Sequence, residues 1–352
     1  MEEDERMKKL MAVLLILAMV FSMAACGGNQ SEDPGNDPVV GEEEWEGTLR
    51  IGDNWGASHP MAAALDNVFK KEIEEKTGGK IKVDVKHDGL FGNEADLWTG
   101  VRDGSIQAAV VGTPMNQEFS MMLISDWPFL YRDLDHARKV WTESDVASFV
   151  NEEFHNKFPE VQIIGWGPNS ARTFTSNKKL TSVDDFKGQL FRMPGNPIHE
   201  GIVENLGASH TVIALGELYT ALETGTVDGQ DNGMVTVIAQ NFDKVQKYLY
   251  ETNHIIATLE IIVNQDFMDG LSENQREIVK AAGEAAAKQA WADYIASVDE
   301  DREALKAAGV TVTACTPEDQ AKIIEKIQPL VDKLYSENSW AQDLTDRVKN
   351  VQ

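Results

Sequence analysis

The sequence predicts an α/β protein made of two similar lobes with a long helix bracing both, and three observations carry that expectation. Strand-like and helix-like segments alternate in two separate stretches, 48–114 and 161–233. A helical pattern without proline or glycine runs from Glu284 to Ala308. The chain of 352 residues corresponds to about two domains.

In the first stretch, Leu49-Arg50-Ile51-Gly52 reads as a short strand ending in the turn-like cluster Asp53-Asn54-Trp55-Gly56. Leu65, Val68, Phe69 and Ile73 then fall at helical spacing within 60–76, and Gly78-Gly79 stops that helix. Lys80 to Lys86 alternates apolar and polar residues as a half-buried strand does. A helix over 93–102, closed by Asp103-Gly104, precedes the apolar run Ile106 to Val111 and the turn Gly112-Thr113-Pro114. This spacing predicts a mostly parallel sheet.

The second stretch repeats the order. Val161 to Ile164 reads as a strand, and Gly165, Gly167, Pro168 and Asn169 as the turn after it. A capped single turn is expected at 182–185, a strand at Gln189 to Met193 stopped by Pro194, and helices over 198–205 and 217–224. Val227-Asp228 is expected as a short strand, with Gly229-Gln230-Asp231-Asn232-Gly233 as its turn.

The brace lies within Leu271 to Gly309. Ser272 and Gln275 have capping-box spacing, and Ile278, Val279, Ala282, Trp291, Ile295, Val298 and Leu305 supply an apolar stripe. About 25 residues at 1.5 Å each reach ~35 Å or more, longer than one lobe. Two ordinary helices with an unmarked break fit the pattern equally well on mean helix length. Residues 317–348 read as further amphipathic helix.

At the start, Lys8 and Lys9 precede the apolar run Leu10 to Ala25, which ends on Cys26. A basic n-region, an apolar h-region and small residues before a cut site describe a secretory signal, and the run is shorter than the ~20 residues of a spanning helix. Met23-Ala24-Ala25-Cys26 resembles the bacterial lipoprotein signal, so residues 1–25 are expected to be removed and Cys26 lipidated. A plain signal peptide with an incidental cysteine is the alternative. Residues 26–47, rich in Gly, Pro, Asp and Glu and poor in aliphatics, are expected to form a flexible tether.

Charge and motifs exclude several functions. Lys plus Arg total 32 against 58 Asp plus Glu, a net charge of −26. A surface so acidic, without a basic patch, argues against nucleic acid as a partner. Two cysteines, Cys26 and Cys315, cannot build a disulfide scaffold or a thiolate zinc cluster, and the seven histidines form no metal-ligand spacing. No nucleophile elbow and no P-loop occur, and Gly165-Trp166-Gly167 fails the dinucleotide pattern at Ser170. Neither a cofactor, a metal nor enzymatic chemistry is expected.

Two arginines stand out. Arg192 lies inside the run Phe191-Arg192-Met193-Pro194, and Arg172 follows the strand begun at Val161. A buried guanidinium is costly unless it finds a partner, and its planar fork fits a carboxylate through two bonds. That partner is either an external anion or one of the chain's own acids.

The words around these arginines resemble a family. Arg172-Thr173-Phe174-Thr175-Ser176, the block from Thr181 to Pro194, Asn205-Leu206-Gly207-Ala208 and the block from Glu217 to Asn232 are similar, in that order, to the DctP-type solute receptors of TRAP transporters. The resemblance covers roughly 48–340. It implies a two-lobed, periplasmic-binding-protein-like α/β fold, with lobe I over 48–169 plus 258–297 and lobe II over 170–257 plus 298–352. It implies that Arg192 grips the carboxylate of an organic acid, that Arg172 adds a second contact, and that Asn232 hydrogen-bonds the ligand. Asn54 and Glu94 stand where the other lobe contributes polar contacts. Trp55, Trp166 and Tyr219 are expected to shape the side-chain pocket, with core packing as the alternative for the two tryptophans. The implied partners are a small organic carboxylate and the TRAP permease subunits, for a monomer tied by its lipid to the outer face of the cell membrane. A sensor subunit of the same fold and an extracytoplasmic hydrolase or lyase are the rival readings.

Overall fold

The computed structural model describes residues 44–112 and 114–352. The expected signal peptide, the lipidation at Cys26 and the tether as far as residue 43 lie outside the described residues, as does Thr113. Within the remainder of the expected tether, Trp45 is held to the body: its N–H donates to Gln275 Oε1 at 2.9 Å, and its carbonyl accepts from Gln275 Nε2 at 2.7 Å.

The first sheet is built as the alternation suggests. Strand β1 (Gly47–Gly52) leads to helix α1 (60–76), which contains a π turn at Leu65–Phe69, and to β2 (Ile81–Lys86). Leu65, Phe69 and Ile73, spaced by four, are wholly buried. Helix α2 (Glu94–Arg102) starts on a capping box between Asn93 and Asp96. It leads to β3 (Ala108–Val111), the short helix α3 (Pro114–Glu118) and a 3₁₀ segment, Ser120–Asp126. Helices α4 (Leu134–Thr142) and α5 (Val146–Lys157) then lead to β4, Val161–Ala171.

Strand β4 corrects the turn expected at 165–169, because the extended chain continues through those residues to Ala171. Its glycines serve close approach instead of chain reversal. A Cβ on Gly165 would lie 2.6 Å from the carbonyl oxygen of Gly283 on the brace helix.

The second sheet takes over at once. It holds β5 (Thr173–Ser176), β6 (Leu190–Met193), helix α6 (Pro197–Asn205), β7 (Ser209–Val212), helix α7 (Leu215–Glu223), β8 (Gly229–Asn232), helix α8 (Met234–Ala239) and β9 (Tyr248–Glu251). The chain then returns to the first sheet as β10 (Ile256–Asn264), followed by the short helix α9 (Gln265–Asp269). Strand β8 is a second correction. Residues 229–232, read as a turn from their Gly, Asp and Asn, form a buried strand because side chains satisfy their polar groups: Gln230 Nε2 donates to Thr175 Oγ1, and Asp231 accepts from Arg172.

The sheet orders are β2-β1-β3-β10-β4 and, with β11 (Thr311–Ala314), β11-β9-β5-β8-β6-β7. Both sheets are mostly parallel, as expected, and each contains one strand that runs against the rest: β10, antiparallel to β3 and β4, and β5, antiparallel to β8 and β9. The direct steps from β4 to β5 and from β9 to β10 bring the antiparallel pairs, since they carry the chain between sheets without a crossover helix.

The brace is one helix, α10 (Glu273–Ala307), and both bonds of its Ser272–Gln275 capping box are formed. Trp291 Nε1 donates to Trp166 O in the first sheet, and Arg302 binds Glu251 of the second through two bonds at 2.7 and 3.0 Å. Helices α11 (Pro317–Glu337) and α12 (Ala341–Asn350) close the chain. The fold is a mixed α/β architecture of two sheets spanned by one long helix, as the sequence predicts.

Candidate functional site

A cavity of about 290 Å³ is lined from both halves of the fold. Asn54, Asn93, Glu94, Ala95, Pro114 and Gln117 come from loops and helix starts above the first sheet. Arg192, Pro194 and the segment 212–215 come from the second.

Arg192 sits on β6 opposite Gln230 of β8 in the strand register. It is buried, and its Nε donates to Ile213 O at 2.7 Å. Among the described residues it makes no ion pair with a carboxylate. Burial pushes its pKa down to about 10, against the pull of Asp231, so the guanidinium stays charged at neutral pH. A buried cation with its fork unclaimed by an internal acid suits an external anion.

Across the cavity, the turn after β1 places Asn54. Its Nδ2 donates to Gly92 O at 3.1 Å, while Oδ1 is a buried acceptor with no partner among the described residues. Its neighbour Asp53 anchors that turn, accepting from Trp55 N at 2.9 Å and meeting His87 Nδ1 at 2.6 Å. His87 Nε2 faces Asp66 at 3.1 Å, so both ring nitrogens address carboxylates and the ring is cationic. The bond to Asp53 lifts the His87 pKa to about 9 against the opposing effect of burial. Burial lifts the Asp53 carboxyl above its ordinary range while His87 pulls it back, and the facing cation favours the ionised pair. Glu94, the first residue of α2, accepts from Gly112 N at 2.9 Å.

The other expected site residues stand elsewhere. Arg172 is taken by Asp231, with Nη2 to Oδ1 at 3.0 Å and Nε to Oδ2 at 3.2 Å, and both side chains are buried. Burial alone would raise the Asp231 carboxyl, but Arg172 and His199 hold it well below the usual carboxylate range. Asn232 is buried on β8 and donates to Gln230 Oε1 at 2.6 Å. Trp55 is buried in the first-sheet core, its ring centroid 6.0 Å from that of His59. Trp166 stacks on Trp141 at 4.1 Å, donates to Asn151 and lines a separate cavity of about 220 Å³. Tyr219 packs against the small core beneath α7. The three aromatic side chains follow the hydrophobic cores instead of the Arg192 cavity. Gln117 and the segment 212–215 escape sequence reasoning because no motif marks them; the fold alone brings them to Arg192. Among the described residues no group of three His, Cys, Asp or Glu is placed to hold a metal ion.

Comparison with known proteins bears on the family and the fold. Residues 51–338 match the model of the family described as DctP, bacterial extracellular solute-binding protein, family 7. A solute-binding protein of Verminephrobacter eiseniae is 30% identical over 290 residues, 80% of this chain and 83% of the relative. A TRAP periplasmic solute binding protein from Haemophilus influenzae, solved with bound L-gulonate, superposes with a TM-score of 0.82 at 25% identity, covering 87% of this chain and 99% of that one. Another from Desulfovibrio salexigens, with bound orotic acid, gives 0.80 at 26% identity, covering 86% and 97%.

Proposed function

Because the chain belongs to the bacterial extracellular solute-binding protein family 7, we propose that it captures a small organic carboxylate in the Arg192 cavity and hands it to the membrane permease of a TRAP transporter. It is a solute-binding protein that works outside the cytoplasm, not an enzyme. The observation that carries the reading is Arg192 itself: a buried guanidinium with no carboxylate partner among the described residues, lining a cavity shared by both halves. Two charge-assisted bonds from its fork fix the carboxylate, each worth ~1.5 to 3 kcal/mol when desolvated. From the facing half, Asn54 Oδ1 accepts from a ligand donor and Glu94 contributes polar recognition. The lobes are drawn over 48–169 with 258–297 and over 170–257 with 298–352. Those boundaries find support in the passage of the chain between sheets at Arg172 and again at 252–255.

The gulonate and orotate of the relatives are both carboxylates, which supports the ligand class without choosing its member. A thermal-shift and calorimetric screen across monocarboxylates, dicarboxylates, keto acids and sugar acids tests the reading, each hit being compared with its neutral amide. The acid is expected to bind and the amide to fail. Equal binding of both refutes the carboxylate role. Lipidation at Cys26 completes the proposal, supported by the apolar run ending there. Mass analysis of the mature N-terminus tests it, an unmodified cysteine overturning it.

A further inference from the structure

Among the hydrogen bonds that join the halves of the chain, which include a buried one from Asn196 Nδ2 to Asp126 Oδ2 at 2.6 Å, two involve residues of the cavity wall and run in opposite directions. Gln117, on α3 after the first-sheet strand β3, donates from Nε2 to Gly195 O at 3.1 Å, in the loop after β6 of the second sheet. Gln240, which ends α8 after the second-sheet strand β8, donates from Nε2 to Asn54 O at 3.3 Å, in the turn after β1 of the first sheet. Each half thus supplies one glutamine and one backbone carbonyl. Each bond also involves a residue that lines the Arg192 cavity, Gln117 in one and Asn54 in the other.

The backbone is shaped for these contacts. Gly195 has φ +85°, a conformation that costs little only for glycine, and a Cβ there would meet Val212 Cγ1 at 3.3 Å and Gln117 Nε2 at 3.5 Å. Beside the second contact, a Cβ on Gly56 would lie 2.8 Å from Ala239 O, so the turn after β1 and the end of α8 approach as closely as glycine permits. A glutamine amide donates without charge, so the contact survives changes of pH and salt that would break an ion pair.

We propose that Gln117 and Gln240 are a reciprocal pair of positioning residues that hold the two halves together across the cavity. Water competes for an exposed amide, so each bond is worth only a small factor in the equilibrium between joined and separated halves, about threefold to tenfold. Such a pair is weak enough to open for exchange and strong enough to bias the halves toward contact when the ligand is in place.

The test needs no ligand, so its failure leaves the role of Arg192 untouched. Spin labels are placed at Lys71→Cys and Glu223→Cys, two exposed positions on opposite halves, neither of which lines the Arg192 cavity, in a background carrying Cys26→Ser and Cys315→Ser. Their separation is read by double electron–electron resonance in the unliganded protein. The parent is expected to show a short-distance population matching the structure. Gln117→Ala and Gln240→Ala are each expected to move about threefold to tenfold of the short-to-long ratio toward the longer distance. Gln117→Lys, which keeps a donor, is expected to retain the short population; a merely structural role would not distinguish it from alanine. Distance distributions in the alanine variants that superimpose on the parent overturn the proposal, and so does a parent without the short population.

Discussion

Asp231 and Arg192 occupy neighbouring strands of one sheet yet leave each other unpaired. In the register of β6 and β8, Arg192 stands opposite Gln230, so these two side chains share a face and Asp231, the next residue, points to the other. There Asp231 meets Arg172 and, at 2.8 Å, His199 Nδ1. Strand alternation therefore divides two arginines between two tasks. One neutralises a buried acid, and the other makes no ion pair among the described residues, as the proposed ligand role requires.

The ligand-facing task predicts opposite effects on binding and stability. Arg192→Ala is expected to lose at least ~1.5 kcal/mol of affinity for the tightest carboxylate found by the screen, and Arg192→Lys to fall between it and the parent, since an ammonium lacks the fork. Unliganded Arg192→Met is expected to melt no lower than the parent, because burying this cation without an internal carboxylate costs stability. Calorimetry gives the first quantity and thermal denaturation the second. A marked drop in melting temperature without loss of affinity would reassign Arg192 to the framework.

The framework task predicts the reverse for Arg172. Arg172→Ala leaves Asp231 buried against only His199 and the more distant His254, and is expected to cost ~3 to 5 kcal/mol in urea denaturation. Combining Arg172→Met with Asp231→Leu is expected to restore much of that loss, since apolar pairs of similar volume replace buried ion pairs at little cost. A single variant as stable as the parent, with weakened ligand binding, would return Arg172 to the ligand.

How much of this was legible in the sequence depended on range. The helices over 60–76 and 94–102 and the brace announced themselves through local signals: spacing of Leu65, Phe69 and Ile73, the cap at Asn93, the box at Ser272 and Gln275. The strand at 229–232 did not, because its polar residues are paid for by partners some 55 to 59 positions away, Thr175 and Arg172. Arg192 could be singled out because a guanidinium between Phe191 and Met193 breaks a local rule. Its freedom from Asp231 could not, since that follows from the register between two strands. The same limit hid Gln117 and the wall at 212–215, which reach Arg192 only through the fold.

The turn that carries Asn54 predicts a dependence on alkaline pH. Its anchor is the His87–Asp53 contact at 2.6 Å, with the His87 pKa raised to about 9 in the folded protein and near 6.5 in the unfolded chain. A raised folded pKa means that the contact contributes fully below about 6.5 and that its contribution fades as pH climbs through about 9. The parent is expected to lose stability over that window relative to His87→Gln, whose stability has no such component. Urea midpoints of both proteins at pH 6, 8 and 10 check the sign. Parallel midpoints across the series would detach His87 from the turn.

The contact of brace and sheet yields a prediction in which two local rules compete. Alanine is a better helix residue than glycine by ~1 kcal/mol, so propensity alone favours Gly283→Ala within α10. A Cβ there, however, would lie 2.6 Å from Ile164 O and 2.8 Å from Ile164 Cγ1, and Gly165 opposite has no more room to yield. Overpacking of this kind costs ~1 to 3 kcal/mol, so Gly283→Ala is expected to destabilise, and Gly283→Val to do so more. Gly216, near the start of α7, supplies the control: nothing lies within 4 Å of its Cβ position, and Gly216→Ala is expected to stabilise by up to ~1 kcal/mol. Denaturant midpoints of the three variants should therefore move in opposite directions for the two glycines. A gain at Gly283 would show that α10 can draw away from β4 at little cost, and the helix would then be a looser brace than its contacts with Trp166 and Glu251 require.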